Sequence, residues 1–170
     1  LALFKDEIKD YDVAFGASLH AITAYKLDSP EIWRVFSGSV LMSKRQNIGY
    51  KISKDFLTQG YENEYIVECY INSCLQLGIY DEAIKFLDET KFPFQKFPIL
   101  LGIAANIYGK RSAEAEKALS MNERATLLEP NNTRLRWNLA LAQLKNGKIK
   151  EGIENYEARL EWREFPSCLG

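Results

Sequence analysis

The sequence predicts an all-α fold, an α-solenoid of antiparallel helix hairpins. Three observations carry that prediction. Apolar residues recur at helical spacing, as in Ile149, Ile153, Tyr156 and Leu160, which fall at i, i+4, i+7 and i+11. No sustained alternation of β-branched residues between tight turns marks a strand. Small residues recur at Ala14, Gly49, Ala83, Ala118 and Gly152, at spacings of 35, 34, 35 and 34.

Helix breakers at Pro30, Gly60, Gly78, Pro93, Pro98, Gly109, Pro130 and Gly147 divide the chain into short helices. In order, the register gives a truncated first repeat over 1–28, then repeats over 29–63, 64–98, 99–132 and 133–163. Together they form a single array, 1–163, with an exit segment over 164–170. The opening stretch LALFKDEIKDYDVAF aligns without gaps on LALAQLKNGKIKEGI, residues 139–153. Leu1 therefore falls inside a first helix, and a fragment of a longer protein is expected.

The 29–63 and 99–132 repeats are placed by register. In the 64–98 repeat, Ala83, Ile84 and Leu87 mark the second helix, and Gly78 suits a turn of positive φ before it. Gly147 has the same place in the 133–163 repeat, where Pro130, Asn131 and Asn132 stop one helix before Thr133 opens the next. Small residues let paired helices approach, and Phe36, Tyr70, Ala105 and Leu139 hold matching places on the preceding helices. A weaker series follows at Ala21, Phe56, Thr90, Ala125 and Arg159.

Composition excludes several classes. With 46% hydrophobic residues and a formal net charge of −1, the 170-residue chain is not of the disordered type. The balance of 22 Lys+Arg against 23 Asp+Glu disfavours nucleic acid as a partner. The longest mostly apolar stretch, Phe97 to Gly109, is about half of what a membrane-spanning helix needs, so no membrane insertion is expected. Cys69, Cys74 and Cys168 form no disulfide framework. Buried reduced thiols fit a reducing, cytoplasmic location.

The fragments LQLGIYDEAIKFL, from Leu75, and LKNGKIKEGIENY, from Leu144, superimpose 69 residues apart. A helix–turn–helix period of 34 residues is the signature of the tetratricopeptide repeat. Residues 127–162 resemble that family through Pro130, Leu139, Ala140, Gly147, Gly152 and Tyr156, and depart from it at Arg136 and Arg159. Tyr80-Asp81-Glu82-Ala83 is similar to the family's second-helix opening.

The resemblance implies a right-handed superhelix whose first helices line a concave groove for an extended peptide or partner helix. Carried across by register, the groove positions are Arg34, Tyr65, Glu68, Asn72, Gln76, Leu100, Ile103, Ile107, Arg134, Trp137, Leu141 and Lys145. Ile103, Ile107 and Leu141 are the expected floor, flanked by Arg34, Arg134 and Lys145. Tyr65, Trp137 and Arg134 are the residue types that anchor interfaces. Glu68 stands where chaperone-tail-binding members of the family carry Lys, which disfavours that ligand.

GIENYEARLEWREFPS, Gly152 to Ser167, resembles a junction in bacterial multidomain proteins that leads into a glycosyltransferase domain. Tyr156, Glu157, Arg159, Trp162, Phe165, Pro166 and Ser167 carry this likeness. It implies an accessory array whose catalytic domain lies beyond Gly170.

No catalytic constellation emerges. Asp10-Tyr11-Asp12 matches an Asp-x-Asp metal–nucleotide motif, but the same letters suit the turn and helix start of a hairpin. His20 is the single histidine, which leaves little material for a metal site or triad. No glycine-rich phosphate loop is present. The aromatic connector Phe92 to Pro98 is expected to tuck its rings inward, and Lys44, Arg45, Lys51 and Lys54 to form a solvated face. The expected function is a non-catalytic protein–protein scaffold without cofactor or metal. The alternatives are the glycosyltransferase accessory region and self-association through open solenoid ends.

Overall fold

A computed structural model describes residues 11–157. The expectations for the first ten residues, for Arg159, Leu160, Trp162 and Cys168, and for the Phe165–Ser167 junction lie outside the described residues. Within them the all-α prediction holds, and no strand occurs. Among the described residues no helix is long and apolar enough to cross a membrane.

The helices are α1 (Tyr11–Tyr25), α2 (Pro30–Met42), α3 (Gln46–Thr58), α4 (Glu64–Leu77), α5 (Tyr80–Glu89), α6 (Pro98–Tyr108), α7 (Ala115–Leu128), α8 (Thr133–Lys145) and α9 (Ile149–Tyr156). Short 3₁₀ turns cover Phe94–Lys96 and Ser112–Glu114. Helices α2, α4, α6 and α8 begin at residues 30, 64, 98 and 133; α3, α5, α7 and α9 begin at 46, 80, 115 and 149. Both series recur every 34 or 35 residues, the period of the small-residue pattern. Two compact units divide the chain, residues 1–79 and 80–170.

In the first unit, Phe15 and Ile22 of α1 meet Trp33, Phe36 and Val40 of α2, Phe56 of α3, and Ile66 and Cys69 of α4. The Trp33 indole stands edge-on to Phe36 at 5.4 Å and to Phe56 at 5.1 Å, and Phe15 stacks on Phe36 at 5.7 Å. Gly49 meets Val40 of α2 as well as Cys69 and Ser73 of α4, and Ser53 faces Cys69; these small residues let α3 pack chiefly on α4. Helix α4 is buried through Ile66, Val67, Cys69, Tyr70, Ile71, Asn72, Ser73 and Cys74. Its N-terminus is fixed by Asn63, whose side-chain oxygen accepts from Tyr65 N and Ile66 N at 3.0 Å; such a cap contributes about 1 kcal/mol.

In the second unit, Ala83, Ile84 and Leu87 form the buried stripe of α5. The connector to α6 behaves as expected: Phe94 is buried and Phe92 stacks on Phe97 at 5.4 Å. Pro98 opens α6, which is buried through Leu100 to Ala105, Ile107 and Tyr108 and is the central helix of this unit. Helix α7 contributes Ala118, Leu119, Asn122 and Ala125, and α8 contributes Leu135, Asn138, Leu139, Ala140 and Gln143. Gly152 lets α9 lie against Leu144, where an added Cβ would stand 2.7 Å from the Leu144 side chain.

Candidate partner-binding surface

In the first unit, α2 packs on α4 and the two helices present adjoining stripes. Arg34, Ser37 and Leu41 lie at i, i+3 and i+7 on α2; Tyr65, Glu68, Asn72 and Gln76 lie at i, i+3, i+7 and i+11 on α4. Pro30 at the start of α2 and the Asn63 cap of α4 set where each stripe begins. Between them opens a shallow cleft lined by Ser37, Val40, Leu41, Gln46, Cys69, Asn72, Ser73 and Gln76. Its empty space is about 180 Å³, part of it open solvent, and it admits about one water.

Of the predicted positions here, Arg34 and Gln76 are exposed, Tyr65 and Glu68 half-buried, and Asn72 buried at the cleft wall. Desolvation, followed by the hydrogen bond and negative charge of Glu64, pushes the Tyr65 hydroxyl above its usual range. Glu31, one turn before Arg34, is held below the usual carboxylate range, first by the hydrogen bond that Ser29 Oγ donates at 2.6 Å. The stripe therefore opens on carboxylates around a single guanidinium and runs into neutral amides and hydroxyls.

In the second unit, Asn132 caps α8 by accepting from Arg134 N at 3.1 Å and Leu135 N at 3.3 Å. Arg134 and Trp137 are half-buried; Leu141 and Lys145 are exposed. Lys145 Nζ donates to the Gly109 carbonyl, just past the C-terminus of α6, where a cation also meets the negative end of the helix dipole.

The expected apolar floor needs correction. Ile103 and Ile107, with Leu100, are at most 2% exposed and belong to the core of the second unit. The residues around them, Leu101, Gly102, Ala104, Ala105 and Tyr108, are also buried, so α6 is covered over most of its surface, with only Pro98, Ile99 and Asn106 half-buried. In such a helix, register does not distinguish a groove-facing position from a core position. Leu141, 40% exposed, is the one member of that floor at the surface.

The remaining chemistry-bearing residues are engaged structurally. Asp12 accepts from Arg45 at 2.6 Å, and the Arg45 guanidinium lies over the Phe15 ring at 4.6 Å. Lys54 donates to Tyr50 Oη at 2.8 Å, so the basic cluster is partly committed to local contacts. His20 is exposed and meets the Tyr25 ring edge-on at 5.8 Å. Among the described residues no three His, Cys, Asp or Glu side chains gather where they could hold a metal ion. Tyr108 Oη donates to Asp88 at 2.6 Å while Lys117 Nζ sits 3.7 Å from the Tyr108 ring centroid, which ties α5, α6 and α7 together.

Ser37, Gln46 and Ser73 line the cleft without having been anticipated. Polar residues at helical spacing read as a solvated face, and only the approach of α2 to α4 turns them inward. The chain matches no protein-family model and no curated protein.

Proposed function

We propose that the chain is a non-catalytic protein-interaction module, a right-handed α-solenoid of tetratricopeptide-like hairpins that binds an extended peptide or partner helix on its first helices. The recurrence of helix starts every 34 or 35 residues is the observation that carries this reading. Arg34, Tyr65 and Gln76 in the first unit, and Arg134, Trp137, Leu141 and Lys145 in the second, are the contact residues that remain after the burial of Ile103, Ile107 and Asn72. A surface on packed helices is already ordered, so its owner loses little entropy on binding. A photo-cross-linking residue placed at Gln76 or Leu141 should join the chain to one partner protein, and the same residue at Leu127 on α7, 81% exposed, should not. Equal cross-linking from all three positions contradicts the assignment.

A second reading, self-association through the last hairpin, is favoured by α9. Ile153 is 56% exposed, whereas Leu119 and Ile84, its counterparts 34 and 69 residues earlier, are 6% and 5% exposed. Sedimentation that stays monomeric at all concentrations, with Ile153→Glu unchanged from the parent, counts against it.

A further inference from the structure

Helices α6 and α8 carry an inference that rests on the interaction reading and names the chemistry of the partner. Ile99, Gly102 and Asn106 are the second, fifth and ninth residues of α6, as Arg134, Trp137 and Leu141 are of α8. Ile99 and Asn106 are half-buried, unlike Ile103 and Ile107, so this is the side of α6 that reaches the surface. The two helices lie side by side: a Cβ added to Gly102 would stand 2.8 Å from Leu135 and 3.7 Å from Asn138, and Lys145 reaches the Gly109 carbonyl. The joint face is neutral and largely apolar in its middle. Arg134 and Lys145 stand near the two ends of α8, about 17 Å apart along its axis.

Charge on this face has one sign. Neither α6 nor α8 contains Asp or Glu; the helical carboxylates of this unit all belong to α5, α7 and α9. Cations are already placed against them: Arg111 pairs with Asp81, Lys117 with Asp88 at 3.4 Å, and Lys148 with Glu123 at 3.2 Å. In the turns next to the face, Lys110 follows α6 and lies 5.9 Å from the Tyr80 ring centroid, while Glu129 precedes α8 and accepts from Asn132 Nδ2 at 2.9 Å. Arg136 stands on the opposite side of α8 from Arg134. Among the described residues the half-buried Arg134 side chain has no ion-pair partner, and Lys145 meets a neutral carbonyl. Guanidinium and ammonium groups only donate, so they fix the sign of the group they receive.

We infer that the α6–α8 face receives an acidic peptide segment of a partner protein, apolar in its middle with carboxylates on both sides. One carboxylate accepts from Arg134, whose planar fork matches it bidentately, and a second accepts from Lys145. The apolar residues between them lie on Leu141 and Ile99. About five extended residues span the distance between the two cations. A nucleic acid would call for a longer run of cations and would leave the apolar middle unused.

Amide NMR titration of the full chain with defined peptides tests this. Acetyl-Ser-Glu-Glu-Leu-Ser-Leu-Glu-Glu-Ser-amide should shift the Asn106 and Leu141 signals, with an affinity that falls as salt is raised. A counterpart with glutamine at the four glutamate positions should bind at least about tenfold more weakly, and one with lysine there more weakly still. Arg134→Gln and Lys145→Gln, both judged folded by circular dichroism, should each weaken binding of the glutamate peptide at least about threefold, and Arg124→Gln on α7 should not. Absence of a response to the glutamate peptide, equal binding of the glutamine or lysine peptide, no change in both variants, or tighter binding of a thymidine decanucleotide overturns the assignment. Partner cross-linking from Gln76 or Leu141 without preference for the glutamate peptide removes the acidic occupant alone. A charge-selective response at Leu141 without cross-linking from either position removes the broader reading and leaves this site standing.

Discussion

Lys44 and Gly78 lie 34 residues apart and close their helices in the same way, with φ of 57° and 75°. After each, the next amide reaches back five residues: Arg45 N to Val40 O at 3.0 Å, and Ile79 N to Cys74 O at 2.9 Å. Gly147 repeats the device, with Lys148 N on Gln143 O at 2.9 Å. A lysine in left-handed backbone carries a steric cost that glycine lacks. Lys44→Gly should therefore raise stability by about 0.5–1 kcal/mol, measured by urea unfolding. A loss of stability would mean that the Lys44 side chain holds the turn through its own contacts.

Gly49 and Gly38 should respond in opposite directions to the same substitution. A Cβ at Gly49 would come within 2.5 Å of Val40 Cγ1 and 2.8 Å of Ser73 Oγ, whereas nothing lies within 4 Å of one at Gly38. Gly49→Ala should destabilise by about 1–3 kcal/mol through overpacking. Gly38→Ala should stabilise by up to about 1 kcal/mol through helix propensity. Adding Val40→Ala to Gly49→Ala should leave a combined loss smaller than the two single losses summed, since it removes the closest clash.

The Cys69 thiol predicts an alkaline limit. Burial pushes it up to about 12 from an ordinary value of 9.0. Between those values the unfolded chain has released the proton and the folded chain keeps it, so stability falls as pH rises through that window. The slope from this group is at most about 1.4 kcal/mol per pH unit. Cys69→Ala should lose less stability than the parent between about pH 8 and pH 10, measured by urea unfolding at each pH. Equal losses would place the alkaline sensitivity elsewhere.

Asn132 holds the start of the helix that carries Arg134 and Trp137. Asn132→Ala should cost about 1 kcal/mol, and Asn132→Asp, which keeps an acceptor near the positive end of the helix, should cost less. Thermal unfolding of the two variants checks the order. Lys145→Met should cost about 0.3–1 kcal/mol, through the Gly109 carbonyl left without its donor.

The helices and their period were legible because packing imposes a repeat on small residues: Gly49, Ala83, Ala118 and Gly152 are all buried, as are Phe36, Tyr70, Ala105 and Leu139. Gly78 and Gly147 announced their turns, but Lys44 and Lys26, also at positive φ, did not, because lysine leaves no conformational signature. Exposure was the least legible property. Ile103 and Ile107 hold register positions assigned to a groove, yet both are buried in the core of α6 and its neighbours. Asn72 looks like a surface residue until α2 is placed beside it. The cleft belongs to that approach of two helices, and neither sequence alone encodes it visibly.

The proposed contact stripe of α8 runs through Arg134, Trp137, Leu141 and Lys145. The most direct measurement is the affinity of the parent chain, Trp137→Ala and Arg134→Ala for the protein cross-linked from Leu141, by isothermal titration with folding verified for each variant. Both substitutions should weaken binding by about tenfold or more, while Lys85→Ala on the exposed face of α5 should leave it unchanged. Unaltered affinity in both Trp137→Ala and Arg134→Ala would contradict the assignment.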